Sequence, residues 1–177
     1  MGSSINDCRD YHRKKNFEVI VGSEIETNFG DVLSYYLTKD IQSREFFSVV
    51  DEVRKQNGLI IIPHPFRKSL NKMHRFQYPL EQLKNSVDAI ECFNARMLPG
   101  DNAKAQAVAH KHNLVGTGGS DAHFWFEAGT AYTSFDGSFR SALKRKKTDY
   151  GGTTLYGPLG GLLSFLRTRS RLFKKKK

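Results

Sequence analysis

Short apolar runs alternate along the chain with segments whose apolar residues recur at helical spacing. Strands are predicted at six places, over residues 17–22, 32–37, 59–62, 87–93, 114–117 and 130–133. Helices are predicted between several of them, over about 44–56, over 79–85 and from a cap at Asp101 or Asn102 to about His112. Strands that alternate with helices favour parallel pairing, and the pattern therefore predicts an α/β fold.

Polar residues follow or end four of the predicted strands. They are Ser23 to Glu26, the pair His64-Pro65, Glu91 with Asn94 and Arg96, and the segment 120–123. In parallel α/β folds, active sites form at the carboxyl ends of the strands, from the loops that follow them. We therefore expect these segments to supply the functional side chains, and a barrel would bring them together around one axis.

The segment Asp121-Ala122-His123 is the sharpest local motif. In an extended segment, residues i and i+2 lie on the same side, so a carboxylate oxygen and an imidazole nitrogen can address one cation. This pair of ligands suits zinc, manganese or iron. His64 lies between two prolines at the start of a long loop, which restricts its backbone. Anchoring of the loop by His64 and simple solvation of Glu24 stay open as alternatives.

Several other chemistries lack their motifs. No GxSxG segment surrounds Ser120, the glycines at 116–119 do not open a helix with a dinucleotide-binding fingerprint, and neither a P-loop nor a CxxC pair occurs. Cys92 lies in an apolar strand and is interpreted as a small buried residue. Trp125, between two phenylalanines, is interpreted as packing or loop cover. The carboxylate and histidine segments remain the candidates for chemistry.

The chain carries a net charge of +10, from 28 Lys and Arg against 18 Asp and Glu. Such an excess favours anionic partners such as phosphates, nucleic acid or a membrane surface. Much of it is concentrated in residues 140–147 and 167–177, and a terminal run of lysines is ordinarily a solvated tail. Residues 157–177 are interpreted as a basic C-terminal tail with a short helix, which either docks on the domain or lies on an anionic membrane.

The length of 177 residues fits a single domain with its own core. No apolar stretch approaches the roughly 18 residues of a membrane span, and residues 1–15 lack the apolar core of a signal peptide. Cys8 and Cys92 do not make a disulfide framework. A cytoplasmic location is therefore expected.

Taken in order, the segments GSEIET, IIIPHPF, IECFNAR, GGSDAH, EAG and AYT resemble the PHP (polymerase and histidinol phosphatase) superfamily. The likeness runs from about Phe17 to Thr133. It is closest to the branch with a segment called PHP-associated, here about residues 87–135. The resemblance implies a metal-dependent phosphoesterase, a phosphatase or exonuclease-like hydrolase in which a metal-activated water attacks a phosphate ester. The implied substrate is a phosphorylated small molecule or an oligonucleotide.

The resemblance also implies roles for individual residues. Glu24 falls on the family's bridging glutamate, His64 on the ligand of the HP motif, and Asp121 and His123 on the closing DxH ligands. These four are the expected catalytic and metal-binding residues, with one to three Mn, Zn or Fe ions as cofactors. Asp31 is a secondary candidate, at a position where many relatives have a histidine.

Substrate phosphate is expected to contact basic and amide side chains near these ligands. The candidates are Arg67, Lys68, Asn94 and Arg96, with Lys72 and Arg75 in the same basic loop as Arg67 and with Glu91 lining the site. Arginine can hold a phosphate through two hydrogen bonds, whereas lysine acts as a point charge.

One part of the family pattern does not occur in the sequence. Members begin with strands that end in HxH and DH motifs, and neither motif is found here. The expected fold is therefore a partial distorted (β/α)7 TIM-like barrel of the PHP type over residues 1–156. It lacks about two N-terminal strand–helix units, or roughly 60 residues. Two exposed sheet edges would close by dimerisation or leave the fold marginal, so an oligomer is an open expectation.

Two other hypotheses stay open beside a phosphoesterase impaired by the missing ligands. The chain is alternatively a non-catalytic PHP remnant that binds nucleic acid or another anion through its basic surface, or a structural remnant with neither function. Metal-dependent turnover that is lost in Asp121→Ala would exclude the binding remnant. Binding that weakens steeply as salt rises would favour it.

Overall fold

A computed structural model describes residues 18–67, 76–157, 160, 161 and 163 of the chain. The chain divides into two compact units, Met1–Ala89 and Ile90–Lys177. Among the described residues, no helix is long and apolar enough to cross a membrane. Each unit carries some of the candidate site residues.

In its described part, the first unit is a small antiparallel sheet with one helix. The strands are β1 (Gly22–Thr27), β2 (Gly30–Tyr35) and β3 (Leu59–Ile62), and helix α1 spans Phe46–Lys55. A 3₁₀ turn follows at Leu80–Leu83. β1 and β2 form a hairpin with a two-residue turn, in which Thr27 lies opposite Gly30. β2 also pairs with β3, again antiparallel.

The core of the first unit lies between α1 and β3. Phe46, Val49 and Val53 form the buried face of α1, and every residue of β3 is buried. α1 is capped by Glu45, whose carboxylate accepts hydrogen bonds from Phe47 N at 3.2 Å and Ser48 N at 2.7 Å. The bonds from Ser48 and Phe47 lower the pKa of Glu45. The cap fixes where the helix starts, and burial of its apolar face holds it on the sheet.

The second unit is built around two parallel strands and a separate antiparallel pair of strands. Its elements are β4 (Ala89–Asn94, which begins at the unit boundary), α2 (Pro99–His112), β5 (Gly116–Gly119), β6 (Ala131–Phe135), α3 (Phe139–Arg145) and β7 (Thr148–Gly152). β4 and β5 pair in parallel, and β6 pairs antiparallel with β7. A 3₁₀ turn at Trp125–Glu127 lies between β5 and β6. The connection from β4 to β5 through α2 is the βαβ unit that parallel strands require.

The prediction of a mixed α/β fold is confirmed, and β3 has the predicted bounds. The expectation of parallel pairing is confirmed for β4 and β5 but is wrong for β1 to β3. The two-residue turn between β1 and β2 is too short for a parallel crossover, so the chain must fold back as a hairpin. The strand predicted at 17–22 lies instead at Gly22–Thr27, which places Glu24 within a strand rather than after one.

Other sequence interpretations are also corrected. α2 is capped by Leu98 rather than by Asp101 or Asn102, because Pro99 occupies the first helical position, where no N–H is needed. Trp125 is 88% exposed, so the packing interpretation is wrong. Cys92 is buried, as predicted. α3 and β7 were not predicted, since the sequence around them had been interpreted only as a run of charge.

Candidate metal centre

The β1–β2 hairpin places Glu24 and Asp31 on one face of the sheet. Glu24 lies opposite Leu33, and Asp31 is two residues from Leu33 on β2. Cross-strand partners share a face, as do residues i and i+2 of one strand, so the two carboxylates lie diagonally across the hairpin. Asp31 is buried, whereas 49% of the Glu24 side chain is exposed. The hairpin therefore presents one sheltered and one accessible carboxylate.

His64 follows β3 in an unusual backbone conformation. Its φ is +30°, a positive value that non-glycine residues rarely adopt. A hydrogen bond of 2.9 Å from Arg67 N to His64 O closes a turn after it. Such conformations cost about 1–3 kcal/mol and cluster at sites where the surrounding structure fixes them for function. The imidazole is almost fully buried and is directed towards Glu24 and Asp31.

These three side chains form a cluster, called here the carboxylate–histidine cluster (Glu24, Asp31 and His64). His64 Nε2 lies 3.2 Å from Glu24 Oε1 and 4.0 Å from Asp31 Oδ2. One potential ligand atom from each residue lies within 4.8 Å of the other two. Metal–ligand bonds of about 2.0–2.2 Å place neighbouring ligand atoms about 3.0–3.5 Å apart. A small adjustment of Asp31 would thus let all three atoms reach one divalent cation.

The chemistry of the carboxylate–histidine cluster also fits a cation. Two carboxylate oxygens and one imidazole nitrogen suit manganese, iron or zinc. Asp31 and His64 are both buried, and a buried carboxylate is costly unless it is paired or bound to a metal. Of the four ligands expected from the sequence, the first unit brings together Glu24 and His64, and it adds Asp31 beside them.

The second unit holds a different group of side chains, called here the acid–amide cluster (Glu91, Asn94 and Asp121). Asn94 Nδ2 donates hydrogen bonds to Glu91 Oε2 at 2.9 Å and to Asp121 Oδ2 at 3.4 Å. Gly119 leaves room for Glu91, because a Cβ at this glycine would lie 2.6 Å from Glu91 Oε1. The amide therefore stands between the two carboxylates and offers a donor to each.

Asn94 is itself held by α2. Its N–H donates to Asn102 Oδ1 at 3.0 Å, and Asn102 Nδ2 donates back to Asn94 O at 3.1 Å. Asn94 Oδ1 also accepts a hydrogen bond of 2.9 Å from Arg96 N. These contacts fix the end of β4, so the Asn94 amide is placed by the backbone rather than by solvent.

Asp121 and His123 are brought together by a turn. Asp121 has φ +49°, so the extended segment expected from the sequence is wrong at this residue. His123 Nδ1 lies 2.9 Å from Asp121 O and 3.5 Å from Asp121 Oδ1. Half of the His123 side chain is exposed. With Nδ1 at the Asp121 carbonyl, Nε2 is the ring nitrogen of His123 that would be offered to a cation.

A buried ion pair in the second unit was not anticipated from the sequence. Glu127 Oε1 lies 3.6 Å from Arg96 Nε, and both side chains are almost fully buried. Glu127 Oε2 accepts hydrogen bonds from His123 N at 2.7 Å and from Phe124 N at 2.9 Å. Arg96 had been expected to hold phosphate. Glu127 lies in the EAG segment, where a single glutamate gives no sign of burial, so only its place in the family motif could have drawn notice to it.

The remaining substrate candidates are only partly described. Arg67 is half-buried in the turn after His64. Lys68, Lys72 and Arg75 lie outside the described residues, as do Cys8 and the tail beyond residue 163. Their roles therefore stay predictions.

Comparison with known proteins gives relatives of both sequence and structure. A family model described as PHP-associated matches residues 99–148. The uncharacterized protein MJ0417 of Methanocaldococcus jannaschii is 38% identical over 128 residues, which cover 69% of this chain and 53% of that protein. The uncharacterized protein MJ1587 of the same organism is 30% identical over 90 residues, or 50% of each chain. The chain thus spans about half the length of these curated relatives.

Two crystal structures share the fold over 84% of this chain. One is a two-domain protein from Bacteroides vulgatus ATCC 8482 containing a predicted PHP-like metal-dependent phosphoesterase, with a TM-score of 0.65, 22% identity and 48% of that chain covered. The other is PsfC from Pseudomonas syringae PB-5123, with a TM-score of 0.58, 22% identity and 65% of that chain covered. At this identity the likeness concerns the fold.

Proposed function

We propose that the chain is a metal-dependent phosphoesterase of the PHP superfamily, as the PHP-associated match over residues 99–148 and the likeness to the fold of a PHP-like protein support. The observation that carries the proposal is the carboxylate–histidine cluster, in which three ligand atoms lie within 4.8 Å of one another. A divalent cation, when bound, lowers the pKa of a coordinated water and offsets charge on phosphoryl oxygens. The donor set supports manganese, iron or zinc without choosing among them.

The proposal assigns ligand roles to the residues expected from the sequence. Glu24 and His64 would be ligands in the first unit, with Asp31 added beside them. Asp121 and His123 would be ligands in the second unit. The strained backbone at both His64 and Asp121 supports these roles, because positive φ at a non-glycine residue is retained where a side chain must be held in one place.

Access to the carboxylate–histidine cluster is provided by Glu24. This side chain also borders a groove of about 480 Å³, whose other charged lining residues are Glu26, Asp40 and Arg44. Since His64 is buried and Glu24 is half exposed, a substrate would approach from the Glu24 side. Fixed ligands on one side and an open path on the other are what hydrolysis of an external ester requires.

Substrate phosphate would be held by basic and amide side chains of the chain. Arg67, Lys68, Asn94 and Arg96 are the proposed contacts, and the net charge of +10 supports an anionic substrate. Arg96 already faces Glu127, so a phosphate would have to share its guanidinium with that carboxylate. Arg67, in the turn next to His64, is therefore the better placed of the two arginines.

The finer features of the fold belong to the same proposal. A partial distorted (β/α)7 barrel is supported by the parallel β4–β5 pair and by the likeness to PHP-like structures.

The test uses the purified chain with manganese, zinc or ferrous iron added singly. Hydrolysis of p-nitrophenyl phosphate and of bis(p-nitrophenyl) phosphate is measured, which separates monoesterase from diesterase activity. We expect turnover that is abolished by a chelator and by His64→Ala, and retained in His110→Ala, which changes an exposed histidine of α2. Turnover that survives both the chelator and His64→Ala would contradict the proposal.

A second candidate function is favoured by the net charge of +10. The chain would then be a non-catalytic member that binds a nucleic acid or another anion. Binding of a single-stranded oligonucleotide that falls steeply with salt, in a folded protein without turnover, would support this alternative. Metal-dependent turnover lost in Asp121→Ala would exclude it.

A further inference from the structure

Glu127 holds the loop that carries Asp121 and His123 through hydrogen bonds to its main chain. One carboxylate oxygen of Glu127 accepts hydrogen bonds from the N–H groups of His123 and Phe124. The other oxygen lies 3.6 Å from Arg96 Nε. Only 2% of the Glu127 side chain is exposed, so its carboxylate is stabilised by these protein groups rather than by water. A buried carboxylate that accepts main-chain N–H bonds fixes the backbone that donates them.

Gly160, towards the C-terminal end of the second unit, packs against the same carboxylate. Gly160 lies so close that a Cβ built there would overlap Glu127 Oε1, whereas a Cβ on neighbouring Gly161 would meet nothing within 4 Å. Both residues are glycines in one helical segment. The segment therefore tolerates a side chain at position 161 but requires its absence at position 160 for Glu127 to stay in place.

We propose that Glu127 is a positioning residue, which places His123 for ligand binding through the two main-chain hydrogen bonds and is itself placed by Arg96 and Gly160. The inference rests on the proposed function only in taking His123 as a ligand. Groups around a ligand that orient it commonly change metal affinity by about 10–100-fold when they are removed. Glu127 would have this effect without touching the cation.

The experiment compares Gly160→Ala with Gly161→Ala in the full chain. Both add one methyl group to the same helical segment, so they share any gain in helix propensity. Two local quantities are measured by NMR: amide hydrogen exchange at residues 123 and 124, and the Mn²⁺ concentration that half-broadens the His123 ring signals. In Gly160→Ala we expect both amides to exchange at least about 10-fold faster and that concentration to rise about 10-fold. In Gly161→Ala both should stay within about twofold of the parent, as for an ordinary surface substitution.

Two substitutions of Glu127 separate its hydrogen bonds from its charge. Glu127→Gln keeps a carbonyl oxygen for the two N–H groups but loses the buried ion pair with Arg96. Amide exchange at 123 and 124 and the half-broadening Mn²⁺ concentration should therefore lie between those of the parent and of Glu127→Ala. Glu127→Ala removes both acceptors and should reproduce Gly160→Ala. Unchanged Mn²⁺ broadening in folded Glu127→Ala or Gly160→Ala would overturn the proposal, and so would retained amide protection.

Failure of the proposed function would look different. If Mn²⁺ does not broaden His123 in the parent protein, His123 is not a ligand and the role of Glu127 in metal binding is overturned with it. If Mn²⁺ broadens His123 in the parent and in Glu127→Ala alike, the ligand assignment stands and the positioning role alone is excluded.

Discussion

The two clusters use similar side chains in opposite ways. In the carboxylate–histidine cluster, His64 Nε2 lies 3.2 Å from Glu24 and 4.0 Å from Asp31, and one ligand atom from each of the three residues lies within 4.8 Å of the other two. In the acid–amide cluster, the Asn94 amide stands between Glu91 and Asp121 and donates to both. The first cluster brings potential ligand atoms close to one another, whereas in the second cluster the Asn94 amide donates a hydrogen bond to each carboxylate.

The difference shows how a protein can keep carboxylates buried without making every one of them a metal ligand. A buried carboxylate is stabilised by hydrogen-bond donors or by a cation, and either solution relieves the cost of desolvation. The second unit uses donors, since Asn94, Arg96 and the main-chain N–H groups of His123 and Phe124 all point at carboxylates. In the first unit, Glu24 and Asp31 lie close to the imidazole of His64, and the three side chains together form a donor set that suits a cation. We therefore expect metal to matter more for the first cluster than for the Glu91–Asn94 contact.

The largest expected effect is on metal affinity in His64→Ala. Removing the only nitrogen ligand of the carboxylate–histidine cluster should weaken binding of Mn²⁺ or Zn²⁺ by more than about 100-fold, which exceeds the loss expected for a supporting residue. Isothermal titration with the metal alone measures the change, and His110→Ala serves as the control. Equal metal affinity in His64→Ala and His110→Ala would show that the carboxylate–histidine cluster does not bind the metal.

Asp31→Asn should have the next largest effect. It keeps the shape of the side chain but removes the charge and the better ligand oxygen, so metal affinity should fall by about 10-fold. Glu26→Gln is the matched control, because Glu26 lies directly opposite Asp31 on the hairpin but is not part of the cluster. A larger loss in Glu26→Gln than in Asp31→Asn would show that general negative charge, rather than the cluster, attracts the cation.

Asn94→Asp should make the second cluster resemble the first. A third carboxylate replaces the donor between Glu91 and Asp121, so the free energy of unfolding should fall by about 2–3 kcal/mol. Divalent metal should recover part of that loss, which urea unfolding with and without Mn²⁺ can measure. The control is Asn113→Asp, at the exposed end of α2. A stable Asn94→Asp protein in metal-free buffer would mean that the amide is not needed to separate the carboxylates.

The smallest effect concerns the interior of the second unit at high pH. Burial raises the pKa of Cys92 from 9.0 to about 11, so the folded chain holds the thiol proton more tightly than the unfolded chain. This contribution to stability is complete below pH 9 and is lost as the pH rises towards 11. Burial likewise raises the pKa of Tyr150 to about 12, which acts in the same direction.

Urea unfolding at pH 8, 9 and 10 measures this slope. Cys92→Ala should be less stable at every pH because of the lost packing, but its stability should fall less steeply between pH 9 and 10 than that of the parent. Parallel curves for the two proteins would contradict the assignment of the slope to Cys92.

How much of the fold was predictable differs between the two units. The buried run Leu59–Ile62 and the helix before it were evident from periodicity, because burial on one side imposes a regular apolar pattern. The β1–β2 hairpin was not evident from periodicity, because parallel and antiparallel strands have similar apolar runs. Only the short turn between the two strands distinguishes the pairings here. Glu24 and His64 were expected by their motifs, whereas the contact of Asp31 with them depends on a cross-strand register that the sequence does not display.

Residue type and spacing show which side chains are available for chemistry: Glu24 in one predicted strand region, His64 after another, the Asp121-Ala122-His123 motif, and an excess of positive charge. These are local properties, set by residue type and by spacing along the chain. Which side chains meet is known only from the folded chain: Asn94 separates Glu91 from Asp121, and Glu127 supports the His123 loop from a buried position. These contacts depend on the exact course of the backbone, even where the residues are near in sequence, and for Asn94 and Asp121 on the pairing of distant segments, which packing fixes only when the chain folds.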